Sequence, residues 1–183
     1  RGGVMVAAEI AKAFNCPLDI IVTRKIPSPQ SSELAIGAIG ETEGSKYLNE
    51  HLVKELGVSG EYLVKEIKTQ QQEIKRRESL YRQGRQALDL QEKTVIIVDD
   101  GAATGATLIA ACREVWNSKP TRVVVALPVA PRDTVQILEK EADEVVVLET
   151  PEPFFAVGQF YEEFEQVRDE EVIKILSETN LAN

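Results

Sequence analysis

The sequence predicts an α/β fold: a mostly parallel sheet flanked by helices, with a helical insertion. Three observations carry this reading. Short apolar, β-branched runs alternate with stretches of helical apolar spacing. Residues 94–107 read as a strand, a carboxylate pair, a small-residue loop and the start of a helix. Residues 41–89 break the alternation with a long, polar, helix-like segment. Alternating strands and helices argue for a parallel sheet covered on both faces. Ligands in such sheets sit at the carboxyl ends of strands.

The elements follow in order. Val4 to Phe14 is helix-like, with Val4, Ala7, Ala8, Ala11 and Phe14 on one face. Pro17 marks a turn, and Leu18 to Val22 is a continuous apolar run expected to be a buried strand. Arg24 to Ser32 reads as a loop stiffened by Pro27 and Pro29. Leu34 to Ile39 reads as a further strand, where Gly37 allows close backbone approach.

In the insertion, Tyr47 to Leu56 is expected to form a short helix. Ser59 is placed to cap a second helix from about Glu61 to Gln83, with Leu63, Ile67, Ile74 and Leu80 as its apolar residues. The segment 41–89 is expected to be an insertion or lid within one domain spanning 1–183. From Lys65 to Arg85 it carries seven basic residues against three acidic ones. Two readings fit that excess: a solvated face with i,i+4 ion pairs, or a basic arm facing an anion or a neighbouring subunit. Beyond it come a buried strand Val95 to Val98, a helix Thr107 to Trp116, a strand Arg122 to Leu127, a helix Arg132 to Lys140 and a strand Val145 to Glu149. The chain opens at Arg1-Gly2-Gly3, inside what reads as a functional loop, so a strand is expected to precede it.

Composition narrows the function. A chain of 183 residues with 43% hydrophobic residues suits one α/β domain. A net charge of −9 argues against nucleic-acid binding, which needs a basic face. Cys16 and Cys112 make neither a disulfide framework nor a metal cluster, and both are expected to be buried core thiols in a reducing cytoplasm. No run of eighteen apolar residues is present, so no membrane helix is expected. His51 is the single histidine, which leaves no Ser-His-Asp or Cys-His set for a hydrolase.

The chemistry concentrates in Thr94–Thr107. Asp99 and Asp100 stand at the end of a strand and can accept hydrogen bonds from vicinal sugar hydroxyls. The loop Ala102, Ala103, Thr104, Gly105, Ala106 and Thr107 has no bulky side chain. Its N–H groups can close around a phosphate at the start of the next helix, and Thr104 and Thr107 add hydroxyl donors. A carboxylate pair would repel a phosphate, so the two halves must meet different parts of one ligand, as in a phosphorylated sugar.

This ordered stretch resembles the 5-phosphoribosyl-1-pyrophosphate (PRPP) motif of type I phosphoribosyltransferases. The resemblance implies that fold, and transfer of a phosphoribosyl group from PRPP to a nucleobase or related nitrogen acceptor. It implies Mg²⁺ as cofactor, in indirect contact with Asp99 and Asp100 through ribose hydroxyls or water, and a homodimer. Arg1-Gly2-Gly3 resembles the family's pyrophosphate loop, and Arg24-Lys25 matches a basic pair that meets pyrophosphate, although a plain turn and a surface loop would read the same way. Ala103 occupies the place where the 6-oxopurine members carry an Asp, so the acceptor is not set by the motif. Phe154, Phe155, Phe160, Tyr161 and Phe164 could form a hood for a base or a core patch at the sheet edge; Trp116 is expected in the core. A non-catalytic PRPP-sensing regulator is the alternative function.

Overall fold

The computed structural model describes residues 1–32 and 34–181. Its backbone organises two three-stranded sheets. The parallel sheet contains β4 (Thr94–Val98), β5 (Arg122–Val129) and β6 (Glu144–Glu149) in that order, with Val95 opposite Val123 and Val125 opposite Val145. The other sheet is antiparallel: β1 (Arg24–Pro27), β2 (Ala35–Ile39) and β3 (Tyr47–Leu48). The helices are α1 (Gly3–Phe14), α2 (Glu50–Glu55), α3 (Gly60–Arg82), α4 (Ala106–Asn117), α5 (Arg132–Leu138) and α6 (Asp169–Leu181).

The expected helix starts hold where a local cap specifies them. The Ser59 side chain accepts the Tyr62 N–H at 3.2 Å, which opens α3, and the Asn49 side chain accepts the Leu52 N–H at 3.1 Å, which opens α2. Elements that depend on partners differ from the sequence reading. Leu18–Val22 belongs to no sheet among the described residues: the Ile20 N–H goes to the Asp19 carboxylate and the Ile20 carbonyl to Arg82, so side chains take the place of a ladder. Arg24–Pro27 is a strand, not a loop, because β2 pairs with it. Tyr47 and Leu48 are also strand, not helix, and the Tyr47 carbonyl lies where a side chain on Gly37 would be.

Two cores result. One packs β4, β5, α4 and α5 around Ile97, Ile109, Cys112, Val123, Val125 and Leu138. The other packs α1, β1, β2, α3 and α6 around Ile26, Ile36, Ile74, Val172 and Leu176. Both clusters bury apolar area, the main favourable term in folding. They meet at a seam where Ala106 and Ala110 of α4 lie against Ala38 of β2.

The parallel sheet is covered more fully on one face than on the other. Val123, Val125, Leu127 and Val129 are buried, whereas Ile96 and Val146 of the opposite face are exposed and Leu148 is 76% exposed. The expected complete burial of β4 therefore fails: it is an edge strand in which only Ile97 is buried. Phe14 is 70% exposed rather than on the buried face of α1. Trp116 is also partly exposed, because its ring N–H reaches out to the Glu141 carbonyl at 2.8 Å. Cys112 is buried as expected, and Cys16 is only half-buried. No helix among the described residues is long and apolar enough to cross a membrane.

Candidate active site

The parallel sheet delivers the acidic pair. β4 stops at Val98, and Asp99 and Asp100 emerge at its carboxyl end over a cleft of about 340 Å³. That volume suits a small molecule. The loop Gly101–Gly105 with Thr107 lines the cleft. Arg1, Gly2, Lys25, Val157 and Phe164 line it as well. Asp99, Asp100, Arg1, Gly2, Lys25, Ala102, Ala103, Thr104, Gly105 and Thr107 thus line one cleft.

Three other residues play different parts. The Arg24 side chain leaves the cleft and donates from Nε to Gln70 Oε1 on α3 at 2.9 Å. Burial, then the charge of Arg77, lowers its pKa from the usual arginine value. A strand sends successive side chains to opposite faces, so of the adjacent pair only Lys25 can look into the cleft. Gly3 packs against the Asp99 Cα, which an added Cβ would approach at 2.8 Å, and Ala106 is buried at the seam. None of the seven basic residues from Lys65 to Arg85 lines the cleft. Arg76 and Arg77 both pair with Glu73, and Arg82 with Asp19 and Glu78, so that face is laced with ion pairs.

The loop leaves backbone donors open at a helix start. Gly105 precedes α4 with φ of 72°, a left-handed turn that glycine adopts without strain. Among the described residues, the N–H groups of Ala103, Thr104 and Gly105 donate to no protein acceptor. They stand at a helix N-terminus, where unpaired donors and the helix dipole favour negative charge. The Ala102 N–H is already used, donating to the Val129 carbonyl at 3.1 Å.

Electrostatically the cleft divides in two. Asp99 is surrounded by protein although an edge remains accessible; burial, then the neighbouring Asp100 charge, pushes its carboxyl up to about 6. Burial also raises Asp100. The Asp99 Oδ1 accepts the Asp100 N–H at 3.0 Å, which fixes the pair's relative orientation. Gly2 lies so close to the Asp100 carboxylate that a side chain there would coincide with it. A carboxylate pair held at raised pKa gains from hydroxyl donors or a cation, and the loop beyond it gains from an anion.

Several contacts escaped the sequence reading. Thr134 of α5 donates to the Ala103 carbonyl at 2.6 Å, and Tyr161 donates to the Asp100 carbonyl at 2.5 Å. Asp169 holds Arg1 at 2.9 Å and Tyr81 at 2.7 Å. Val157 lies between Phe155 and Phe160 without any motif. The aromatic segment is not a core patch: Phe155 is 82% exposed, and Phe160 and Phe164 are exposed too. Its rings pair locally instead, Phe154 with Phe160 at 4.9 Å and Tyr161 with Phe164 at 5.1 Å between centroids.

Fold and cleft together define a class: an α/β domain with an acidic strand end facing an anion-ready helix N-terminus. The family of phosphoribosyl transferase domains matches residues 1–165, and the chain belongs to it. Two Mycobacterium tuberculosis proteins, from strains CDC 1551 / Oshkosh and H37Rv, are each 44% identical over 176 residues. The second is named "Putative phosphoribosyl transferase Rv0571c". The alignment takes in 96% of this chain and 40% of either relative, so the chain spans well under half the length of these proteins. The crystal structure of TT1426 from Thermus thermophilus superposes with a TM-score of 0.78 at 40% identity, over 97% of this chain and 84% of that one.

Proposed function

We propose that this domain transfers the 5-phosphoribosyl group of PRPP to a ring nitrogen of a nucleobase or related acceptor, releasing pyrophosphate. One observation carries the reading: the acidic pair and the unpaired loop N–H groups share a single cleft at a strand end. Membership of the family makes PRPP the expected donor.

The roles follow from what each group can do. The N–H groups of Ala103, Thr104 and Gly105, with the Thr104 and Thr107 hydroxyls, receive the 5-phosphate. Asp99 and Asp100 accept hydrogen bonds from the ribose 2- and 3-hydroxyls and so fix the sugar. Arg1 and Lys25, with the backbone at Gly2, face the pyrophosphate across the sugar and stabilise the charge that grows on it. The acceptor nitrogen bonds to C1 as the bond from C1 to the pyrophosphate oxygen breaks, and the electron pair leaves with pyrophosphate. Val157 and Phe164 supply an apolar wall for a planar acceptor. Ala103 offers no carboxylate to an acceptor at that position.

The donor set fits Mg²⁺ arriving with its substrate. Among the described residues no group of three or more metal-binding side chains exists, so those residues build no cage. Mg²⁺ keeps several waters and relies on substrate phosphates, so Asp99 and Asp100 would meet it indirectly, through water or the ribose hydroxyls they hold. When bound, the ion supplies charge neutralisation for the departing pyrophosphate.

Calorimetric titration of PRPP with MgCl₂ tests binding, and a nucleobase panel scored by pyrophosphate release tests transfer. Absence of PRPP binding to the full-length protein would overturn the reading. Tight PRPP binding without release for any base would favour a PRPP-sensing regulator instead.

A further inference from the structure

The phosphate loop presents donors only if its peptide planes face the right way. A trans peptide points its C=O and the following N–H in opposite directions, so fixing one fixes the other. Rotating the plane by half a turn would aim a carbonyl oxygen at the bound anion and repel it. Something must therefore hold the loop carbonyls at the back.

Two side-chain hydroxyls do this, at the two ends of the loop. Thr134 Oγ1, on α5, donates to the Ala103 carbonyl at 2.6 Å, which turns the Thr104 N–H away from α5. Tyr161, just beyond a short helical turn at Val157–Phe160, donates to the Asp100 carbonyl at 2.5 Å and turns the Gly101 N–H away from itself. The same segment presses Val157 onto Gly101, where an added Cβ would meet Val157 Cγ1 at 2.7 Å. Thr134 is buried and Tyr161 is half-buried, so both bonds are shielded from competing water.

We propose that Thr134 and Tyr161 are positioning residues. Their hydroxyls lock the peptide planes 103–104 and 100–101 so that the loop N–H groups meet the ligand phosphate. The assignment rests on the reading of this loop as the phosphosugar site. It gives the segment 157–164 a task at the phosphate half of the ligand as well as at the acceptor half.

The test uses Thr134→Val, Thr134→Ser and Tyr161→Phe in the full-length protein, with PRPP–Mg²⁺ and ribose 5-phosphate as probes. Thr134→Val keeps the shape and removes one hydroxyl; Tyr161→Phe keeps the ring against Phe164. Each loss should weaken both probes by about five- to thirtyfold, the value of one shielded hydrogen bond. Thr134→Ser should restore binding to within twofold of wild type, and the acceptor KM should stay unchanged in Thr134→Val. Melting temperatures report folding separately. Unchanged affinity in both Thr134→Val and Tyr161→Phe, or lowered melting temperature with unchanged affinity, would overturn the proposal. Wild-type protein that binds ribose 5-phosphate and ignores PRPP would sink the transfer reading, while the same ratios still judge the hydroxyls. Wild type binding neither probe would overturn both.

Discussion

Arg1 and Asp169 meet at 2.9 Å, and the Tyr81 hydroxyl reaches the same Asp169 oxygen at 2.7 Å. One carboxylate thus ties the residue that opens the Gly-Gly turn to both α6 and α3. The Tyr81 bond, then Arg1, draws Asp169 below the usual aspartate range.

Asp169→Asn should cost little stability, about 1 kcal/mol or less, because partly exposed ion pairs are screened by water. Chemical denaturation at low salt reads the difference, which should shrink in 0.5 M NaCl. A loss several times larger would mean that the pair braces the core.

Stability of the ligand-free domain should peak at about pH 4. Asp99 is raised to about 6, and Glu78 to about 7 by burial and the nearby Glu41. Between their unfolded and folded values the native state binds more protons, so stability falls as pH rises through this window. Glu73, held down to about 2 by its hydrogen bonds to Arg76 and Arg77, acts oppositely: its contribution is lost as pH falls below the ordinary glutamate value. Urea midpoints from pH 3 to 8 should trace the peak, and its high-pH side should flatten in Asp99→Asn.

Asp99→Asn should also separate folding from function. Removing a buried like-charge contact leaves the melting temperature at pH 7.5 equal to or above that of wild type. PRPP–Mg²⁺ binding should fall by about tenfold or more, since an amide gives up a charge-assisted acceptor. Calorimetry beside thermal melts checks both; retained affinity would remove Asp99 from the sugar site.

Phe164→Ala should raise the acceptor KM more than the PRPP KM. Its ring lines the cleft and makes none of the loop hydrogen bonds itself. Steady-state kinetics with each substrate varied in turn distinguishes the two, and an equal rise in both would place Phe164 elsewhere in function.

Ile74→Ala should destabilise the domain by roughly 2–5 kcal/mol, the range for emptying a packed site. Ile74 of α3 is fully buried among β1, β2 and α6 residues. A cost below about 1 kcal/mol, read from urea unfolding, would mean that α3 separates easily from that core.

The motif from Thr94 to Thr107 was legible because its parts are consecutive. Strand, carboxylates, loop and helix occur in the order in which they fold, so spacing alone places them. α3 was legible for a similar reason: Ser59 is a local cap and Ile74 sits on a regular helical stripe. What failed depended on partners distant in sequence. Leu18–Val22 has strand composition but no ladder, while Arg24–Pro27 has a weak strand signal and gains one from β2. Thr134 and Tyr161 could not be found from spacing, since each bond spans a separation of 31 or 61 residues. Arg24 and Lys25 look equivalent in sequence, and only the alternation of a strand sends them apart.

The alanine seam between α4 and β2 bears on how the domain could be divided. Ala38, Ala106 and Ala110 bring helix and strand together with almost no side-chain bulk between them. Arg113 bolts the same junction, with its fork on Glu141, a bond to the Lys46 carbonyl at 2.9 Å and its guanidinium over the Tyr47 ring. Cutting the chain near Gln91 would leave two fragments, each exposing one side of that junction. Neither would be a self-sufficient half, so split versions of the domain should regain structure only on mixing, with α4 and α6 as the surfaces through which the pieces recognise one another.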